Sequence, residues 1–230
     1  MQTEAEKYLI RIIKKLLTLS TKTLTLINLG AAKSTVIEDD LLKSGLNFIC
    51  DRSDINDCEV DKSYVKRNYV CSLEDMKVIG ENSYDIAFAN FVMEHILDIE
   101  KMAQEAARIV TEDGNFVISL PNPQAPEFKF AKATSTSFHQ LFRKKGYNNA
   151  YPVNYAYKTI DNFVSIMEQN GWKLQEKKYF PATYSYLYRY PLINLFSYIY
   201  DKAIASLAIK ALLGHTVLHF RLSIKGNNHE

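Results

Sequence analysis

The chain switches between helical and strand-like hydrophobic patterns. Between Glu4 and Leu17 the apolar positions are Ala5, Tyr8, Leu9, Ile12, Ile13, Leu16 and Leu17, while Glu6, Lys7, Arg11, Lys14 and Lys15 fall outside that stripe. This spacing predicts an amphipathic helix. The run TLTLINLG, residues 23–30, is β-branched and apolar and stops at a glycine, which predicts a buried strand and a turn. A helix is expected after Ser34, ending near Gly45. LNFICD, residues 46–51, reads as a second buried strand that ends in an acid, 68–71 as a weak third and DIAFAN, 85–90, as a fourth. Asp98 suits the N-cap of a helix that turns Ile99, Met102, Ala103, Ala106 and Val110 inward. A turn at 112–114 leads into a fifth strand, Asn115 to Leu120, stopped by Pro121 and Pro123.

The last third is less regular. Residues 121–156 have no clear period. Ile160, Phe163, Val164 and Met167 share a helical face that Asn170-Gly171 ends, and Trp172 to Phe180 reads as a strand. YSYLYRY, residues 184–190, would put four tyrosines on one side if extended. Tyr190 to Leu213 reads as a helix. Thr216 to Ile224 alternates, with Leu218, Phe220, Leu222 and Ile224 on one face. Uncharged strands separated by helices predict an α/β fold: a doubly wound, mostly parallel sheet with helices on both faces. The chain is expected to form one domain over 1–230, with an N-terminal helix in 1–20 and substrate-side insertions at 121–156 and 181–214.

Composition narrows the classes. At 230 residues, 47 % hydrophobic and 23 % charged, the chain is globular. A net charge of +2 argues against broad coating of nucleic acid, and no nucleic-acid partner is expected. Cys50, Cys58 and Cys71 are odd in number and lack CxxC spacing, which points to a reducing, cytoplasmic compartment and to no metal site. Lys14 and Lys15 interrupt any signal-peptide core, and Asp201, Lys202 and Lys210 break the most apolar stretch, so no transmembrane segment is expected.

In an open parallel sheet, ligands bind beyond the carboxyl ends of the strands. Four such ends are candidates. Asn28-Leu29-Gly30-Ala31-Ala32 offers small residues that let backbone approach a ligand. Asp51 follows Gly30 at a separation suited to a carboxylate that accepts both hydroxyls of a ribose; a solvated acid at a strand end is the plainer alternative. Beside Cys71-Ser72-Leu73 a base could lie. Asn90 leads into Phe91-Val92-Met93-Glu94-His95.

Residues 83–123, SYDIAFANFVMEHILDIEKMAQEAARIVTEDGNFVISLPNP, resemble the second half of the class I S-adenosylmethionine-dependent methyltransferase domain, in the group acting on small molecules, lipids and glycans. The resemblance rests on Asp85 opening strand four, the Glu94-His95 pair, an amphipathic helix, the turn at Gly114 and a strand followed by Pro-Asn. It extends more weakly over Leu24 to Phe180. It implies a Rossmann-like seven-stranded sheet with an antiparallel C-terminal strand, and S-adenosylmethionine as cofactor. On this resemblance Asp51 would hold the ribose, Ser72 and Leu73 would flank the adenine, Asn28, Gly30 and Ala31 would meet the methionine part, and Asn90 would present backbone near the sulfonium. Glu94 and His95, the candidate catalytic pair, would face the substrate side or pack beneath it. The chain departs from the family where an acid and Gly-x-Gly-x-Gly are usual: here those positions are Asn28, Gly30, Ala32 and Ser34.

Two other readings stay open on sequence alone. A nicotinamide-dependent oxidoreductase would use Asp51 but lacks GxGxxG, and a non-catalytic relative would explain the glycine-poor loop. The acceptor is expected to be a small molecule, lipid or glycan precursor. In 121–156, Lys129, Lys132, Arg143, Lys144 and Lys145 face the single acid Glu127, which suggests a mobile cover selecting an anionic acceptor. Tyr184 to Leu213 suggests an apolar wall or a peripheral contact with lipid, with a helix packed on the sheet as the plain alternative.

Overall fold

The computed structural model describes residues 2–126, 128, 152–187, 191–207 and 209–223. Strands β1 (Leu24–Leu29), β2 (Phe48–Asp54), β3 (Val65–Val70), β4 (Tyr84–Asn90), β5 (Val110–Pro121), β6 (Trp172–Phe180) and β7 (His215–Leu222) form one sheet in the order β3-β2-β1-β4-β5-β7-β6. The pairs among β1 to β5 are parallel, and β7 runs antiparallel between β5 and β6. This is the doubly wound sheet expected from the sequence. Strand order reverses between β1 and β4, so a ligand crevice is expected there.

Alternation along the strands feeds two cores. Ile27, Leu29, Ala87, Phe116 and Ile118 pack on one face with α3 (Ile99–Ile109) and α4 (Ile160–Gln169). Leu24, Leu26, Ile86, Phe88 and Val117 pack on the other with Leu9 and Ile13 of α1 (Glu4–Leu19) and Leu41 of α2 (Val36–Lys43). Helix α1 starts at a capping box between Thr3 and Glu6, and the Asp98 side chain caps α3 through the Lys101 N–H. Trp172, fully buried, donates its indole N–H to Ala103 O at 3.1 Å and so ties β6 to α3.

Two sequence expectations are corrected. Strand β2 does not stop at Asp51 but continues to Asp54. It does so because Arg52, a polar residue that seemed to end the buried run, is itself fully buried against Glu38 of α2. The tyrosine run is not extended: Thr183–Leu187 form α5, and Tyr188 and Tyr190 lie outside the described residues. Strand β7 alternates as expected, with Leu218, Phe220 and Leu222 on one face, and its other face is covered as well, since Val217 is buried in the second core. The basic cluster from Lys129 to Lys145 lies outside the described residues.

Strand β5 begins at Val110, earlier than expected, and bulges where the turn was placed. Asp113 has φ 61° and Gly114 is wedged in: a Cβ there would lie 2.4 Å from Val110 Cγ1 and 2.8 Å from Thr111 O. Gly114→Ala is therefore expected to lower unfolding stability by about 1–3 kcal/mol in a urea titration, as overpacking does.

Candidate functional site

The carboxyl ends of β1 to β5 meet the first residue of β7 at one edge of the sheet. Gly30, at φ 73°, turns the chain after β1, and its N–H and that of Ala31 both donate to Ser53 O, at 2.8 and 3.0 Å. A Cβ on Gly30 would sit 2.5 Å from Val92 Cγ2, so the loop after β4 closes directly over this turn. Ala32 follows at φ 45°, a left-handed conformation that costs an alanine more than a glycine.

The loop is held from below. Arg52 Nη2 donates to the carbonyls of Ala31, Ala32 and Ser34, at 3.2, 3.2 and 2.7 Å, while Nη1 pairs with Glu38. Asn28 donates its amide to Glu38 Oε1 at 2.8 Å. Burial pushes the Glu38 carboxyl up, against the pull of Arg52 and the Asn28 amide. The Asn28 side chain thus serves the support of the loop. A buried guanidinium that gathers three carbonyls does the shaping that extra glycines would otherwise leave to backbone freedom.

Two acids of β2 lie on opposite faces of the strand. Asp51 pairs with Ile27 in mid-strand, is buried, and accepts from Tyr84 Oη at 2.7 Å. Asp54 ends the strand. Its Oδ2 accepts from Ala32 N at 2.9 Å and its Oδ1 from Asn56 N at 3.0 Å. The acid at the edge beside the glycine turn is therefore Asp54. Sequence reasoning missed it by ending the strand where the apolar run ended.

Beyond β3, the Ser72 hydroxyl accepts from Glu74 N at 3.2 Å, and Leu73 is buried. Asn90 is fixed from two sides: its amide donates to Glu6 Oε1 at 2.9 Å, and its carbonyl accepts from the Ser119 hydroxyl. The first turn of α1 therefore reaches the same edge. Phe91 follows at φ 55° and turns the chain into a short 3₁₀ helix, Met93–His95.

Glu94 and His95 sit on that turn. Residues 152–155 dock on it: Asn154 N and Tyr155 N donate to Glu94 O at 2.7 and 3.2 Å, and Asn154 Nδ2 donates to His95 O at 3.1 Å. The Glu94 carboxyl is buried, and desolvation pushes its pKa up to about 7. Its Oε2 has no hydrogen-bond partner among the described residues. His95 Nδ1 lies 2.9 Å from Pro152 O. A carbonyl only accepts, so Nδ1 is the donor of this pair, and Nε2 lies 4.0 Å from Glu94 Oε1.

The floor beside this pair is aromatic. Phe91 lies 4.6 Å from the His215 ring, and Phe128 lies 6.2 Å from both His215 and Tyr155. Burial pushes His215 down to about 3, so its ring is neutral. His215 and Phe128 were not singled out from the sequence. His215 was legible in principle, because the first residue of an antiparallel strand shares an edge with the last residues of its parallel neighbours.

A glycine turn, a strand-end acid beside it, and an acid–histidine turn after β4 on a 3-2-1-4-5-7-6 sheet define a class I methyltransferase architecture. A family model described as methyltransferase domain matches residues 1–177, and the chain belongs to that family. The enzyme class that goes with it is the S-adenosylmethionine-dependent methyltransferase. Solved structures share the fold. A putative sarcosine dimethylglycine methyltransferase from Galdieria sulphuraria has TM-score 0.61 at 13 % identity, covering 95 % of this chain and 85 % of that one. An S-adenosylmethionine-dependent methyltransferase from Mesorhizobium loti has TM-score 0.58 at 11 %, covering 95 % and 98 %. Geranyl diphosphate C-methyltransferase from Streptomyces coelicolor A3(2), in complex with Mg2+, geranyl diphosphate and S-adenosyl-L-homocysteine, has TM-score 0.59 at 11 %, covering 96 % and 86 %. No curated protein matches the sequence.

The residues fit the cofactor. Each Asp54 oxygen accepts one N–H and keeps a further acceptor position, enough for a vicinal diol. At Gly30 the place of a side chain is taken by Val92, so the glycine lets the loop after β4 pack onto the turn. No group of three or more His, Cys, Asp or Glu that could hold a metal occurs among the described residues.

Proposed function

We propose that this enzyme moves the methyl group of S-adenosylmethionine to a hydroxyl of a small-molecule or lipid- or sugar-linked acceptor. The observation that carries the choice of a hydroxyl is Glu94: a buried carboxyl poised at about 7, with one oxygen that has no hydrogen-bond partner among the described residues, next to His95. A group that accepts a proton near neutrality is what an alcohol or phenol needs and a tertiary amine does not.

Asp54 holds the ribose in this reading. Gly30 and Ala31 meet the methionine part, Ser72 and Leu73 flank the adenine, and the backbone at Asn90 lies next to the reacting centre. Asp51 keeps a supporting role, fixing Tyr84 within the sheet. When bound, the cofactor supplies a methyl sulfonium that is already activated. The protein's part is to hold the acceptor oxygen in line and take its proton, and positioning alone is worth roughly 7–11 kcal/mol. The aromatic floor of Phe91, Phe128 and His215 excludes water from that line, and Glu94 receives the proton directly or through His95.

Thermal shift tests the cofactor and separates the readings left open by sequence. S-adenosylmethionine and S-adenosylhomocysteine at a hundred times Kd are expected to stabilise the fold by about 2.7 kcal/mol, and NAD to leave it unmoved. Stabilisation by NAD alone would favour an oxidoreductase, and none by any ligand a non-catalytic relative.

A further inference from the structure

Helix α6 (Pro191–Ser206) has its polarity inverted. The side turned to the protein carries Ser197, Asp201 and Ile204, with Asn194 half-buried beside them. Asp201 Oδ2 accepts from Tyr184 N at 2.8 Å, which fixes the helix to α5. The side turned outward is apolar: Phe196 is 73 % exposed, Leu195 61 % and Ile199 56 %, with Ile193, Tyr198 and Tyr200 completing the arc. At 3.6 residues per turn these six positions sweep about three-fifths of the circumference. No described residue of α6 belongs to either hydrophobic core of the sheet. A surface helix in water has the opposite arrangement.

We infer that α6 lies in the interfacial layer of a phospholipid bilayer. Three observations choose this occupant over a second copy of the chain. A partner helix buries one stripe, whereas this apolar arc covers more than half the cylinder, which suits immersion. The charge is one-sided. From 191 to 213 the only acid is Asp201, turned inward, while Lys202 and Lys210 are exposed and suit anionic headgroups. Tyr198 and Tyr200 have an apolar ring and a polar tip, as residues at the headgroup level do. Lys202 Nζ lies 5.5 Å from the centre of the Tyr198 ring, so cation and ring sit at one level. No helix among the described residues is long and apolar enough to cross a membrane, which leaves α6 lying on the surface.

The helix is also tied to the site. The 3₁₀ turn Lys210–Leu212 follows it, and Asn122, just after β5, donates its amide to Lys210 O at 3.2 Å and Leu213 O at 3.0 Å. His215 of the aromatic floor comes two residues later. A bilayer under α6 therefore borders the edge where an acceptor enters. The membrane contact itself does not depend on the proposed methyl transfer.

Vesicle flotation tests it. The protein is expected to float with phosphatidylcholine vesicles, and more strongly when phosphatidylglycerol is included. The double variant Phe196→Ser, Ile199→Ser should lose about a hundredfold in apparent affinity. Val78→Ser, exposed on the far loop before β4, should bind as wild type. Melting temperatures of both variants should stay close to wild type, since the replaced side chains are exposed. Wild-type protein that stays at the bottom of the gradient with both vesicles overturns the inference, and so does a double variant that floats like wild type. A dimer seen by sedimentation that the double variant dissolves, without vesicle binding, would assign the face to a second copy.

Discussion

Glu94→Gln is expected to lower single-turnover methyl transfer to an alcohol or phenol acceptor by about 10²- to 10⁴-fold, the range a positioned general base supplies. The wild-type rate should rise with pH through about 7, where the carboxyl loses its proton. Stability tests the same group without any acceptor. Burial raises the folded Glu94 above its ordinary value of 4.5, so the folded state holds a proton that the unfolded chain has released. That contribution is complete below 4.5 and is lost as pH rises through about 7, amounting to about 3 kcal/mol. His215 acts oppositely. Its folded value is about 3 against an ordinary value of 6.5, so its contribution is present above 6.5 and lost as pH falls. Between 4.5 and 6.5 the two slopes cancel in the wild type. Glu94→Gln should expose the histidine slope, so its stability climbs more steeply with pH than that of the wild type over this range. Urea titrations at several pH values read the difference, in which groups common to both proteins cancel. A difference independent of pH would show that Glu94 titrates normally and would remove it as a base near neutrality.

Most of the sheet was legible because β1, β4 and the start of β2 are short apolar runs between turn signals, whereas β3 carries Lys66, Arg67 and Asn68 and reads weakly. The block from Asp85 to Pro123 also keeps a strand, an acid–histidine turn, a capped helix and a second strand in order. The site was legible only to its neighbourhood. Gly30, Asn90, Glu94 and His95 do lie at one edge, but the strand-end acid was displaced by three residues. The cause is Arg52: a guanidinium is almost never buried unless paired, so the sequence reads as leaving the core there. Its partner Glu38 sits on a helix fourteen residues away, and no local pattern announces that pair. The same long-range pairing engages the Asn28 amide, which donates to Glu38. Helix α6 was legible as a helix but not in its orientation, because periodicity locates an apolar face without saying which way it turns.

The assignment of the ribose to Asp54 gives opposite expectations for two acids of one strand. Asp54→Ala removes a carboxylate at the sheet edge, where each hydrogen bond from a ligand hydroxyl to the charged group is worth about 1.5–3 kcal/mol. Losing one to two of them should weaken S-adenosylhomocysteine binding by about ten- to a few hundred-fold in calorimetric titration. Some of that loss will come through the loop, because Asp54 also accepts from Ala32 N and Asn56 N. Asp54→Asn separates the two contributions. It keeps one carbonyl oxygen, for one of the two backbone N–H groups, and cannot accept from both hydroxyls of a diol, so it should lose less stability than Asp54→Ala and still bind several-fold more weakly than wild type. Asp51→Ala should do the reverse. Its carboxyl is buried in mid-strand under Tyr84, and removing it leaves that hydroxyl without an acceptor it now reaches at 2.7 Å. The expected cost is about 1–3 kcal/mol of unfolding stability, with affinity for S-adenosylhomocysteine near wild type. Affinity lost at Asp51 and kept at Asp54 would return the ribose to Asp51. It would also mean that β2 ends three residues earlier when the cofactor is bound, with Arg52 drawn out of its pairing with Glu38.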